Sequence, residues 1–119
     1  MQYVALIYQG STPLPGSEAW DALSDEDQKQ IYKEYGELNN IPGMTPGLPL
    51  GVPEHATTVR VRDGKTLTTD GPFVGMKEAI GGFFVLEAED LDAAIEVAAR
   101  VPAARLGGAI EIRPVEKYW

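Results

Sequence analysis

Residues Ala79 to Val115 read AIGGFFVLEAEDLDAAIEVAARVPAARLGGAIEIRPV, and this stretch decides the fold. Its first part, Ala79 to Glu87, carries Phe83, Phe84, Val85 and Leu86, apolar at successive positions and therefore apolar on both faces of an extended chain. Such a run predicts a strand covered on both sides. Asp90 then suits a helix N-cap, since its carboxylate can accept from an unpaired amide of the first turn. Behind it Leu91, Ala94, Ile95, Ala98 and Val101 recur at helical spacing, and Pro102 ends the pattern. From Ala109 to Val115 the period returns to two, with Ile110 and Ile112 facing inward and Glu111 and Arg113 the other way. The stretch is strand, helix, strand.

The N-terminal half repeats that order in unrelated letters. Tyr3 to Tyr8 is β-prone and apolar on both faces. Ser24 with Asp27 three residues on resembles a capping box, and Asp25, Glu26 and Asp27 suit the positive end of a helix dipole. Ile31, Tyr35 and Leu38 give that helix a narrow core-facing stripe, and it should end near Asn39 or Asn40, ahead of Pro42. Pro42, Pro46, Pro49 and Pro53, interleaved with Gly43, Gly47 and Gly51, cannot form a central strand or helix. Met44, Leu48, Leu50 and Val52 make this run too apolar for a solvated linker, so an ordered, packed loop is expected. Thr57 to Arg62 alternates, Asp63-Gly64 is a strong hairpin signal, and Lys65 to Thr69 is the return strand. The expected fold is a single α+β domain over residues 1–119: a ferredoxin-like split βαβ arrangement with an antiparallel sheet, helices on one face and an extra β-hairpin between the halves.

Helices can cover only one face of such a sheet, yet two strands are apolar on both. The uncovered face must be buried against something, and a symmetric second copy is the simplest cover, so a homodimer is expected.

Composition narrows the chemistry. Ten Lys and Arg against eighteen Asp and Glu leave a net charge of −8. A field of that sign repels phosphate backbones and anionic lipid, arguing against nucleic-acid and membrane partners. The chain has no Cys and one His, which removes disulfides, thiolate nucleophiles and cysteinyl metal sites, and neither metal nor nucleotide cofactor is expected. The opening apolar run is too short for a signal peptide or a spanning helix, and a cytoplasmic protein is the expectation.

The most distinctive segment is Thr69-Asp70-Gly71-Pro72-Phe73, followed by Lys77-Glu78 and Gly81-Gly82. Asp-Gly-Pro is good turn chemistry, and a turn leaving the hairpin is its plain reading. The alternative is that Asp70, Lys77 and Glu78 converge at the mouth of a pocket, where an acid, a base and a cation transfer protons on a small molecule. His55, in the Pro-rich loop, carries an imidazole, a side chain suited to acid or base work, and can join such chemistry; a lone loop histidine is otherwise a solvent-exposed residue. Arg60 and Arg62 share a strand face that suits a carboxylate or enolate, or the chain's own carboxylates. Trp20, Tyr8 and Phe73 suit an aromatic pocket, with core packing the plainer reading of each. Glu111 and Arg113 read as members of cross-strand pairs.

Taken together, Asp70-Gly71-Pro72-Phe73, Lys77-Glu78 and Gly81-Gly82 before an aromatic strand resemble the YCII-related family, in the branch named for its Asp-Gly-Pro-Phe motif. The Tyr3–Tyr8, Val59-Arg60, Ala98–Ala103 and Glu111–Val115 segments extend the resemblance along nearly the whole chain. The resemblance implies a dimeric α+β barrel, a small-molecule pocket and an association with extracytoplasmic-function sigma factors. The branch usually carries Glu two positions past the Phe, where this chain has Gly75, and the broader family uses a His–Asp pair, where this chain's single His is His55. The resulting assignment places Asp70, Glu78 and His55 in proton transfer, and Lys77, Phe73, Arg60 and Tyr8 in contact with an anionic small molecule. Three functions stand on it: a ligand-binding or sensing module serving a sigma-factor regulator, a cofactor-independent lyase or isomerase, and an interaction protein working through its dimer surface. The missing acid at Gly75 favours the first over the second.

Overall fold

The computed structural model describes residues 1–73 and 79–118. The chain runs β1 (Gln2–Tyr8), α1 (Glu18–Asp21), α2 (Asp25–Leu38), β2 (Met44–Pro46), a single 3-10 turn (Pro53–His55), β3 (Thr57–Arg62), β4 (Lys65–Asp70), β5 (Ile80–Glu87), α3 (Leu91–Ala98), α4 (Pro102–Arg105) and β6 (Ala109–Pro114). Four strands form one antiparallel sheet in the order β2-β5-β1-β6. β1 therefore runs parallel to β2 with β5 between them, and β5 runs parallel to β6 with β1 between them. These are two split β–α–β connections, interleaved. The strands β3 and β4 stand apart as a second sheet of two.

Local chemistry starts α2 and α3 where the sequence places them, although α3 ends at Ala98, short of the expected stop at Pro102. The Ser24 hydroxyl accepts from the Asp27 amide, opening α2, and the Asp90 carboxylate accepts from the Ala93 amide, opening α3. Each contact satisfies one of the amides that a helix start leaves unpaired. A third cap, from Ser17 to the Trp20 amide, makes the short α1, and it buries Trp20 edge-on against Tyr32 with ring centroids 5.3 Å apart.

The core lies on one side of the four-stranded sheet. Tyr3, Ala5 and Ile7 of β1 point there with Phe84 and Leu86 of β5, and they meet Leu38 of α2, Ala94 of α3, Val101, and Ala103 of α4. Ile110 and Ile112 of β6 pack against this cluster half-buried, while Glu111 and Arg113 alternate to the other face. A fully buried Leu or Phe contributes about 1.5–3 kcal/mol over its exposed state, so these few positions dominate the cohesion of sheet and helices.

Three expectations need correction. The Pro-rich run forms a strand after all: Met44, Thr45 and Pro46 pair with Leu86, Val85 and Phe84. It is an edge strand, where a proline, lacking an N–H, need not break a ladder. Pro102, expected to end the second helix, opens α4 instead, its missing amide costing nothing at a helix start. Leu91 and Ile95, expected in the core, are about half exposed. The helix α3 docks on its alanine edge instead, where Ala94 and Ala98 allow close approach.

The opposite face of the sheet carries Val4, Leu6 and Tyr8 on β1, flanked by Phe83 and Val85 on β5. All five are only partly buried. The β3–β4 hairpin stands away from the rest. Its turn has Asp63 at φ 53° and Gly64 at φ 75°, the signature of a two-residue type I′ turn that Asp-Gly accommodates. The radius of gyration is 16.2 Å, against about 13–14 Å for a compact chain of this length.

Candidate functional site

A cleft of about 1070 Å³ opens where the helix-free face reaches the C-terminal end of β1. Its floor is built by three adjacent strands, with Tyr8 of β1 standing between Ile80 of β5 and Ala109 of β6. Leu50, Val52, Pro53 and His55 form one wall, from the ordered run that the Leu50 amide ties to the Gly81 carbonyl at 3.1 Å. Pro72 and Phe73 form another, where the chain leaves the hairpin. Concave, mostly apolar spaces of this size are the usual form of a small-molecule site.

A bulge gives the floor its composition. The β1–β5 register runs Leu6 with Phe83 and Ile7 with Gly82, then slips, so that Tyr8 faces Ile80. The extra residue is Gly81, packed against the Gln9 side chain so closely that a Cβ there would lie 2.2 Å from Gln9 Nε2. Without the slip, Gly81 would stand beside Tyr8 and Ile80 would turn to the other side. Bulges re-aim side chains in this way, and here the effect is to place an isoleucine in the cleft.

Few ionisable groups enter. Among the described residues, the cleft is lined by one carboxylate, Glu111, and one imidazole, His55. Glu111 Oε2 accepts from Arg113 Nε at 2.5 Å, along the same strand rather than across strands as expected. That hydrogen bond is the main reason the Arg113 guanidinium is held above its ordinary pKa. At the rim, the Arg60 guanidinium lies over the Phe73 ring, 5.7 Å from its centroid. No group of three His, Asp or Glu side chains among the described residues is placed to hold a metal ion, and no described helix is long and apolar enough to cross a membrane.

Comparison with known proteins bears on what this architecture is. A family model for the YCII-related domain matches residues 1–118. The chain belongs to the YCII-related family. It is also 28% identical, over 123 residues, to an uncharacterised protein of Rhizobium meliloti (strain 1021), the alignment covering 99% of this chain and 94% of that one.

In this YCII-related chain the residues singled out from sequence are distributed unevenly. Tyr8, His55 and Phe73 line the cleft, and Arg60 reaches it through its place over the Phe73 ring. Asp70 lies at the end of β4, opposite Thr57, exposed and not among the cleft residues. Among the described residues nothing donates a hydrogen bond to its carboxylate; the turn is held instead by the Gly71 amide on the Ala56 carbonyl and by Thr58 Oγ1 on the Gly71 carbonyl, each at 2.7 Å. Lys77, Glu78 and Gly75 lie outside the described residues. Phe73 is not a core residue, being 76% exposed. Trp20 is buried, on the helical side of the molecule. Glu111, expected from sequence in a cross-strand pair, lines the cleft instead, and its alternation with Ile110 and Ile112 already put it on the helix-free face.

Proposed function

We propose that this YCII-related protein works as a cytoplasmic homodimer whose cleft binds a small organic acid: an apolar body between Tyr8, Ile80, Leu50 and Val52, with its acidic group at the rim. The observation that carries the reading is the Arg60 guanidinium lying over Phe73 at the edge of a mostly apolar cleft. A guanidinium held over a ring keeps its N–H fork free at the edges, and a carboxylate pairs with that fork in bidentate fashion. Arg113 beside Glu111 offsets the one carboxylate that lines the cleft among the described residues. The dimer reading draws on the partly exposed apolar face of Val4, Leu6, Phe83 and Val85. Membership of the Asp-Gly-Pro-Phe branch, and with it a sensing or accessory role beside an extracytoplasmic-function sigma factor, draws on the Asp70–Phe73 tetrapeptide.

A thermal-shift series of aliphatic and aromatic carboxylic acids against the corresponding alcohols tests the ligand class. Acids should raise the melting temperature more than alcohols, and Arg60→Gln should remove the difference while leaving the alcohol response. Equal responses to acid and alcohol in the native protein refute the reading.

A second reading, cofactor-free proton transfer, draws on His55 and Glu111 lining the same cleft. It requires deuterium from solvent to enter the α-carbon of a bound acid, and that exchange to be lost in Glu111→Gln.

A further inference from the structure

The β3–β4 hairpin sorts its side chains onto two unlike faces. The register pairs Val59 with Thr68 and Val61 with Thr66 on one, and Arg60 with Leu67 and Arg62 with Lys65 on the other. Beyond the Thr57–Asp70 pair at its root the first face carries no charge, yet Val59 and Val61 are 60% and 70% exposed, and every residue of β4 is exposed. Among the described residues both strands pair only with each other. A lone two-stranded hairpin is marginally stable in water, and one with uncovered valines calls for a second surface.

Its charge says what that surface is. The hairpin carries three of the chain's ten cationic side chains, Arg60, Arg62 and Lys65, but only two of its eighteen acids, Asp63 and Asp70. A basic arm thus stands on an acidic body, and another copy of this chain supplies the complementary charge. Reach agrees with this. The six residues of each strand span about 20 Å, from a root beside the cleft, where Ala56 and Thr57 are lining residues. The root lies at the end of the helix-free face, so the arm starts from the side of the molecule that the homodimer reading buries.

We propose that the β3–β4 hairpin is a dimerisation arm that lies across a second copy of this chain, with Val59 and Val61 against the apolar helix-free side of that copy and Arg62 and Lys65 among its carboxylates. The proposal rests on the homodimer reading given above and adds which segment holds the two copies together.

The absence of native cysteine makes the test clean. Val61→Cys, labelled with a benzophenone photocrosslinker, is mixed with isotopically heavy native chain, and crosslinked peptides are assigned by mass spectrometry. In parallel, Val59→Lys/Val61→Lys is compared with native protein by sedimentation, with circular dichroism checking the fold. The proposal expects crosslinks from light to heavy chain that fall in β1 or β5, and a dimer dissociation constant raised at least tenfold in the lysine variant. A native dimer whose crosslinks are all within one chain, or fall on the helices, overturns the arm and leaves the homodimer reading standing. A native protein that sediments as a monomer at micromolar concentration overturns both. Should the lysine variant fail to fold, the crosslink pattern of Val61→Cys decides alone.

Discussion

Tyr8 stands opposite Ile80, not Gly81, because the β1–β5 register slips by one residue after Ile7. On its other side Tyr8 pairs with Ala109. One irregular position thus determines what flanks a tyrosine at the centre of the cleft floor, and the backbone around it is closely fitted.

Gly108 is hemmed in by backbone. A Cβ there would lie 2.2 Å from the Tyr8 carbonyl oxygen, 2.8 Å from that of Gln9 and 3.0 Å from that of Ala103, all backbone atoms. Gly108→Ala should therefore force the β6 entry away from β1. Overpacking of this kind costs about 1–3 kcal/mol, which urea unfolding will read as a lower midpoint at unchanged slope. A native-like midpoint would show that the strand ends shift freely.

The Glu34–Arg105 pair ties α2 to α4, with both terminal guanidinium nitrogens, Nη1 and Nη2, on the carboxylate and Arg105 Nη2 2.7 Å from Glu34 Oε1. The Arg105 hydrogen bond is the largest influence on Glu34 and holds its pKa below the ordinary carboxylate value; the same bond raises that of Arg105. A depressed carboxylate stabilises the fold above its unfolded-state pKa and loses that contribution as pH falls through its folded value. Because Arg105 is half exposed, Glu34→Gln should cost no more than about 1 kcal/mol at neutral pH. The gap between native and variant stability should shrink on acidification below the ordinary carboxylate range. A gap constant from neutrality to strong acid would rule the pair out as a stabilising element.

Asp90 caps α3 through the Ala93 amide at 2.9 Å. Asp90→Ala should cost about 1 kcal/mol, and Asp90→Asn should retain most of the native stability, because the asparagine oxygen accepts the same bond. Equal losses in the two variants would point to the charge instead of the hydrogen bond.

Asp70 is exposed and is not among the residues that line the cleft. Asp70→Asn should change stability by less than about 0.5 kcal/mol, as surface substitutions generally do. The carboxylic-acid thermal shift should also be unchanged. Loss of that shift in a stably folded Asp70→Asn protein would put the aspartate in the site.

Much of the architecture is legible from letters alone, because the rules involved act within a few residues. Ser24 and Asp90 announce their helices since a cap is a bond to an amide three positions on. Asp63-Gly64 announces its turn since the positive dihedrals belong to those two residues. The alternation of Tyr3, Ala5 and Ile7 against Val4, Leu6 and Tyr8 separates two faces without reference to anything else.

What the sequence could not decide involves partners distant along the chain. Met44–Pro46 is a strand only because β5 offers it an edge, and Leu91 and Ile95 are exposed because α3 turned its alanines to the sheet. Motif proximity groups Asp70 with Phe73, yet only Phe73 lines the cleft, because the chain turns at Gly71 with a φ of 97°. Glu111 enters the same cleft from a strand some forty residues further on. Periodicity alone could assign Glu111 to the helix-free face. Only the three-dimensional path of the loops over the end of that face made its position part of a cleft, since a cavity exists where non-neighbouring segments leave space between them.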